Sequence, residues 1–129
     1  MTSRAESTPA NVKGTFRSLI AWQKAIELNV AVYELTKAFP NAEQFGLTMQ
    51  MRRAAVSVAS NIAEGYGRST RGEYILFLGH ARGSNCELQT QLEIAHRLGF
   101  GSKEYLGEVL AKAEEVGRIL VGLMKKLRS

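Results

Sequence analysis

Apolar positions recur along this chain at spacings of three and four, and nowhere at a sustained spacing of two. Trp22, Ile26 and Tyr33, with the polar Asn29 and Thr36 in the same register, form one such row, with Ala25, Leu28, Val32, Leu35 and Phe39 beside it. That spacing predicts a helix from about Ser18 to Phe39, stopped at Pro40 because the residue before proline avoids the α region. A second helix is expected over about residues 41–65. Asn41 is its candidate cap, Gln44 the partner three residues on, and Gly65 the stop. Leu47, Met51, Ala54, Val58 and Ile62 share its apolar arc. Thr70-x-x-Glu73 is a capping box that opens a third helix, closed by Gly99. Tyr74, Phe77, Leu78, Ala81, Leu88, Leu92 and Ala95 keep its register. Gly79 and Gly83 interrupt it at a cost of about 1 kcal/mol each, for which close helix approach is the expected compensation. Ser102 caps a fourth helix. Its seam is Leu106, Leu110, Ala113, Gly117, Leu120, Met124 and Leu127, widened by Val109, Val116 and Leu123.

Four helices with short connections predict an all-α, antiparallel up-and-down four-helix bundle. Residues 1–15 are polar and small, with Pro9 and Gly14, and are expected to be a flexible tail before a bundle domain of residues 16–129. The apolar arcs of helices one and four exceed what one small bundle buries. A self-association surface is therefore expected on them and on Gly79 and Gly83.

Composition agrees with one ordinary globular domain. The chain has 129 residues, 45% hydrophobic and 22% charged, with two prolines. All 12 acidic residues are glutamate. No apolar run is long enough to span a membrane, and the start lacks the apolar core of a signal peptide, so a cytoplasmic protein is expected. A single cysteine, Cys86, excludes an internal disulfide framework, and a buried thiol is expected there.

Catalytic chemistry finds little footing. His80, Ser84 and Glu87 could share a helix face, but mid-helix amides are already bonded and supply no oxyanion hole. Glu93 and His96 make one Glu-x-x-His pair where a di-metal bundle needs two. Gly65-Tyr66-Gly67-Arg68 and Gly99-Phe100-Gly101-Ser102 follow no strand, so their glycines are assigned to turns rather than to a phosphate loop. No catalytic residue, cofactor or metal is expected.

Charge and polar patterning carry more. A formal charge of +5 suits phosphate contacts, and Arg52, Arg68, Arg71, Arg82 and Lys112 are the candidates for them. Gln50, Arg53, Ser57, Asn61 and Glu64 form a polar stripe bordered by apolar residues on both sides. It is either a solvated face or a buried polar network matched by Ser84, Glu87 and Gln91, with an Arg53–Glu87 pair as the specific expectation.

Two stretches are more distinctive. One runs from Phe45-Gly46-Leu47 through Gln50-Met51-Arg52-Arg53-Ala54-Ala55-Val56-Ser57-Val58 to Ser60-Asn61-Ile62-Ala63-Glu64-Gly65. The other runs from Phe77-Leu78 through Ala81-Arg82-Gly83-Ser84 to Glu87-Leu88-Gln89-Thr90-Gln91-Leu92. With Trp22 and Phe39-Pro40, they resemble the bacterial four-helix-bundle family encoded by intervening sequences in 23S ribosomal RNA genes, also labelled S23 ribosomal-protein-like. The accessory variability determinant of diversity-generating retroelements is a more distant likeness. The resemblance spans about residues 16–125. It implies cyclic homopentamers with a basic surface and nucleic-acid contacts, and it supplies no catalytic residues. Arg53, Ser57, Asn61, Glu64, Gly83, Ser84, Glu87 and Gln91 match its motifs as structural or interface positions. Five copies would carry about +25, a far stronger field than one. The expectation is a non-enzymatic, homo-oligomeric binder of structured RNA or RNA–DNA. The alternative is a protein-interaction scaffold, for example for a reverse transcriptase, with a protein partner and little affinity for nucleic acid.

Overall fold

The computed structural model describes residues 14–129, which form four long helices: α1 Ile20–Thr36, α2 Leu47–Tyr66, α3 Arg71–Leu98 and α4 Lys103–Arg128. No strand occurs among the described residues. Each helix packs on its neighbour in the chain, and α1 also packs on α4, so the four reverse in turn around one core as a bundle. Of the expected tail, only Gly14 and Thr15 fall within the described residues. Thr15 caps a short 3-10 turn, Phe16–Ser18, by accepting from Arg17 N at 3.1 Å. Tyr66 then donates its hydroxyl to Gly14 O at 3.2 Å.

The helix ends follow local chemistry, with two departures from the sequence expectation. Thr70 accepts from Glu73 N at 3.1 Å and Ser102 from Tyr105 N at 3.2 Å, each satisfying a free donor of a first turn. Gly99 closes α3 at φ 74, a left-handed conformation in which a side chain would be strained. The first departure is at Asn41, which does not cap α2. Asn41–Glu43 forms its own 3-10 turn, and Glu43 Oε1 accepts from Leu47 N at 3.0 Å where the helix begins. The second is Gly65, which does not end α2. The helix continues through Tyr66, and Gly65 is buried inside it. A Cβ there would lie 2.9 Å from Phe77 Cβ and 3.2 Å from Tyr74 O, so this glycine lets α2 and α3 touch backbone to side chain.

Leu28, Leu35, Met51, Val58, Ile62, Leu78, Leu88, Leu92, Val116 and Leu120 are among the fully buried side chains. At the end near the α3–α4 turn, Phe39 and Phe100 pack with ring centroids 5.6 Å apart. The core row of α3 is Leu78, Ala81, Asn85, Leu88, Leu92 and Ala95, so an asparagine occupies one core slot. The surplus arc of α4, Leu110, Ile119, Leu123 and Leu127, packs half-buried against the core. None of its large apolar residues is among the exposed ones, which lie instead on α1, α2, α3 and the segment before α2. Gly79 and Gly83 do not bring helices of one chain together either. A Cβ at Gly79 would meet only Met124 at 3.9 Å, and one at Gly83 would meet nothing within 4 Å.

Candidate nucleic-acid interface

The polar stripe of α2 meets α3 over its central part. Ser57 Oγ and Ser84 Oγ share a hydrogen bond at 2.8 Å. Asn61 donates from Nδ2 to Ser57 O at 2.8 Å and to Ser57 Oγ at 3.0 Å. These three half-buried residues make a polar clasp between two apolar borders. Farther along α3, Gln91 is buried and donates to Glu87 Oε2 at 3.3 Å. Gln50, Arg53, Glu64 and Glu87 face solvent. Arg53 and Glu87 line one groove of about 460 Å³ but form no ion pair, so the expected contact between them is absent.

The expected phosphate-contacting residues are not gathered on one face. Arg52 is tied across α1 and α2: its Nε donates to Thr36 Oγ1 at 2.9 Å, and its guanidinium sits 4.6 Å above the Tyr33 ring. Arg68 lies 4.6 Å over Phe77 and 3.9 Å from Glu64. Arg71 is exposed at the start of α3, where the helix dipole disfavours a cation, so helix stability does not explain it. Arg82 stands on α3 beside a groove shared with α4, and Lys112 is half-buried on α4.

The antiparallel topology gathers a different set. Arg17, Arg68, Arg71, Lys125, Lys126 and Arg128 share one end of the bundle, where Glu64 and Glu73 are the described carboxylates. The opposite end carries Glu34, Glu43, Glu93, Glu104 and Glu108 against Lys37, Arg97 and Lys103. The molecule is thus electrically bipolar among its described residues. Sequence spacing alone missed Arg17, Lys125, Lys126 and Arg128, because they become neighbours of Arg68 and Arg71 only once the helices alternate in direction.

Two further grooves open on the flanks. Tyr33, Phe45, Met49, Arg52 and Val56 wall one of about 570 Å³ along α1 and α2, with Phe45 80% exposed. Asn85 and Gly117 lie in another of about 560 Å³ between α3 and α4. Asn85 is 1% exposed and donates from Nδ2 to Ala113 O at 2.9 Å, while its Oδ1 is buried without a partner. Such an orphan acceptor costs about 1–3 kcal/mol.

Cys86 is exposed, one position round the helix from the core slot that Asn85 occupies, which corrects the expectation of a buried thiol. The Ser84 hydroxyl is committed to Ser57. Among the described residues no group of three or more His, Cys, Asp or Glu could hold a metal. No described helix is long and apolar enough to cross a membrane. Burial, with the neighbouring Tyr66 hydroxyl, pushes the Tyr74 phenol above its usual value. A hydrogen bond from Arg97 holds the Glu93 carboxyl below the usual carboxylate range.

Residues 17–122 match the model of a family described as 23S rRNA-intervening sequence protein. The fold is similar to the crystal structure of a protein of unknown function from the S23 ribosomal protein family of Bacteroides thetaiotaomicron VPI-5482. That likeness has a TM-score of 0.76 and 23% sequence identity, and it covers 82% of this chain and 96% of the other. No curated protein matches.

Proposed function

The chain belongs to the 23S rRNA-intervening sequence protein family, and from that premise we propose that it is a non-enzymatic, self-associating bundle that binds structured RNA or RNA–DNA through phosphate contacts. The observation that carries this reading is the segregation of charge. Arg17, Arg71, Lys125, Lys126 and Arg128 stand at one end with no ion pair among the described residues. A cluster of solvated cations attracts phosphate oxygens and releases counterions, without reading sequence. Self-association multiplies the effect, because copies arranged in a ring, five in the reading the resemblance implies, would present several such ends together. Val30 on α1 and Leu76, Ile94 and Leu98 on α3 are exposed apolar positions available for that contact.

Binding to a structured RNA hairpin, followed by fluorescence anisotropy against salt, tests the reading. The logarithm of the affinity falls linearly with the logarithm of salt. Undetectable binding at about 50 mM salt refutes it. Light scattering tests the assembly, and a stable monomer would refute that part.

One observation favours a scaffold for a protein partner instead. The α1–α2 groove is largely apolar, and Phe45 projects beside it with 80% of its surface exposed. Stoichiometric capture of a protein, unaffected by nuclease and lost on Phe45→Ser, supports that alternative.

A further inference from the structure

We propose, on the basis of the self-association reading above, that copies of this chain meet head to tail. The outer face of α3 in one copy seats in the α1–α2 groove of the next, and Glu87 of the first pairs with Arg53 of the second.

Each of these surfaces lacks a counterpart within one chain. In the groove of about 570 Å³, Phe45, Met49, Arg52 and Val56 follow 4, 3, 4 spacing along one edge, and Tyr33 stands on the other. Phe45 is 80% exposed. Arg53 also lines this groove, exposed and without an ion pair among the described residues, and no carboxylate lines it. On α3, Leu76, Gly83 and Ile94 are exposed and lie within about 20° of one another on the side turned from the core, with Leu98 one turn beyond Ile94. Glu87 belongs to the same exposed arc. It accepts from Gln91 but has no ion pair among the described residues. Gly83 weakens the helix it sits in, and the chain returns nothing for it, since a Cβ there would meet nothing within 4 Å.

The order of these residues decides how the two surfaces fit. Let α3 of one copy run antiparallel to α2 of the next, with Glu87 opposite Arg53. Phe45, about 12 Å from Arg53 along the axis, then falls between Ile94 and Leu98, and Val56 falls beside Gly83. The parallel arrangement would leave Ile94 and Leu98 beyond the groove. The groove calls for a helix with apolar residues at this spacing and a carboxylate among them, and α3 of the same chain supplies both. Arg53 and Glu87 line a groove of their own chain without touching, so each keeps its charge for a neighbour. Such a pair fixes register, because any slip sets it against apolar surface. The two faces differ, so each copy offers one and accepts the other, and contacts of this kind close into a ring where the rotation between neighbours allows.

Sedimentation velocity over a concentration series reads the association, and thermal melts followed by circular dichroism read the fold. Arg53→Glu and Glu87→Arg each set like charges together, and each is expected to raise the concentration of half-association about tenfold or more. Both changes in one chain restore the opposite pair and bring that concentration back to within about threefold of the parent. Gly83→Leu weakens association about tenfold or more while the melting midpoint is kept or raised, because nothing in the chain opposes a side chain there. A parent chain that stays monomeric refutes the self-association reading and this proposal with it. A parent that associates, but whose assembly survives both single reversals, is not restored by the double reversal, or is untouched by Gly83→Leu, overturns this proposal alone and leaves the groove to a different protein.

Discussion

Gly65 and Gly117 each face a neighbouring helix, and the two interfaces they serve are built on opposite principles. At Gly65 the space is filled: Phe77 Cβ and Tyr74 O would both crowd a Cβ. Beside it, the clasp of Ser57, Ser84 and Asn61 is joined by mutual hydrogen bonds. At Gly117 a groove remains, and Asn85 beside it keeps a buried acceptor without a donor. A helix contact whose polar groups answer one another has what it needs for stability. One that leaves an acceptor waiting, as Asn85 Oδ1 does and as Gln91 Oε1 does farther along α3, carries a cost that packing does not return.

The largest effect that would break this contrast is expected from Gly65→Ala. The added methyl forces α2 from α3 and destabilises the bundle by about 1–3 kcal/mol, more than the helix-propensity gain of alanine offsets. Urea denaturation measures it, and a stability gain would show that the contact is loose. Ser57→Ala is expected to cost about 1–2 kcal/mol, because it deprives both Ser84 and Asn61 of a partner. Adding Ser84→Ala to it should cost less than the two single changes together. On the open side, Gly117→Ala should stay within about 1 kcal/mol of the parent, its helix gain opposed by the Asn85 amide. Gly83→Ala, with nothing near it, should stabilise by up to about 1 kcal/mol. The smallest effect is a pH dependence at the filled interface. Tyr74 has a raised pKa, so its neutral phenol is favoured in the folded chain. Its stabilising contribution is complete below the usual value of 10.0 and is lost as the pH climbs through the folded value. Tyr74→Phe should flatten the alkaline limb of a stability–pH curve, and an unchanged limb would assign that limb to another group.

Much of the architecture was legible in the chain. Thr70, Gly99 and Ser102 act through short-range chemistry that depends on only a few residues, and they stand where their spacing placed them. Asn41 misled because a competing 3-10 turn and the Glu43 carboxylate satisfy the start of α2 instead. Gly65 misled because a glycine that ends a helix and one that admits a neighbour look alike in one dimension. Asn85 does carry a signal in the sequence: the row Leu78, Ala81, Leu88, Leu92, Ala95 has a gap that position 85 fills in register. The same row sets Cys86 off the core. The Arg53–Glu87 expectation failed because facing stripes fix a shared groove, while the reach of two long side chains decides whether they touch. The basic end could not be read from spacing within any one helix, since Arg68, Arg71, Lys125, Lys126 and Arg128 meet only through topology.

That meeting is what the functional account rests on, and reversing charge at each end of the bundle tests it most directly. Affinity for a structured RNA hairpin would be measured for Arg71→Glu/Lys125→Glu/Lys126→Glu and for Lys37→Glu/Lys103→Glu at the opposite end. The account predicts a loss of at least about tenfold and a shallower salt dependence for the first, with a much smaller change for the second. Equal losses from the two ends, or none from the first, would contradict it.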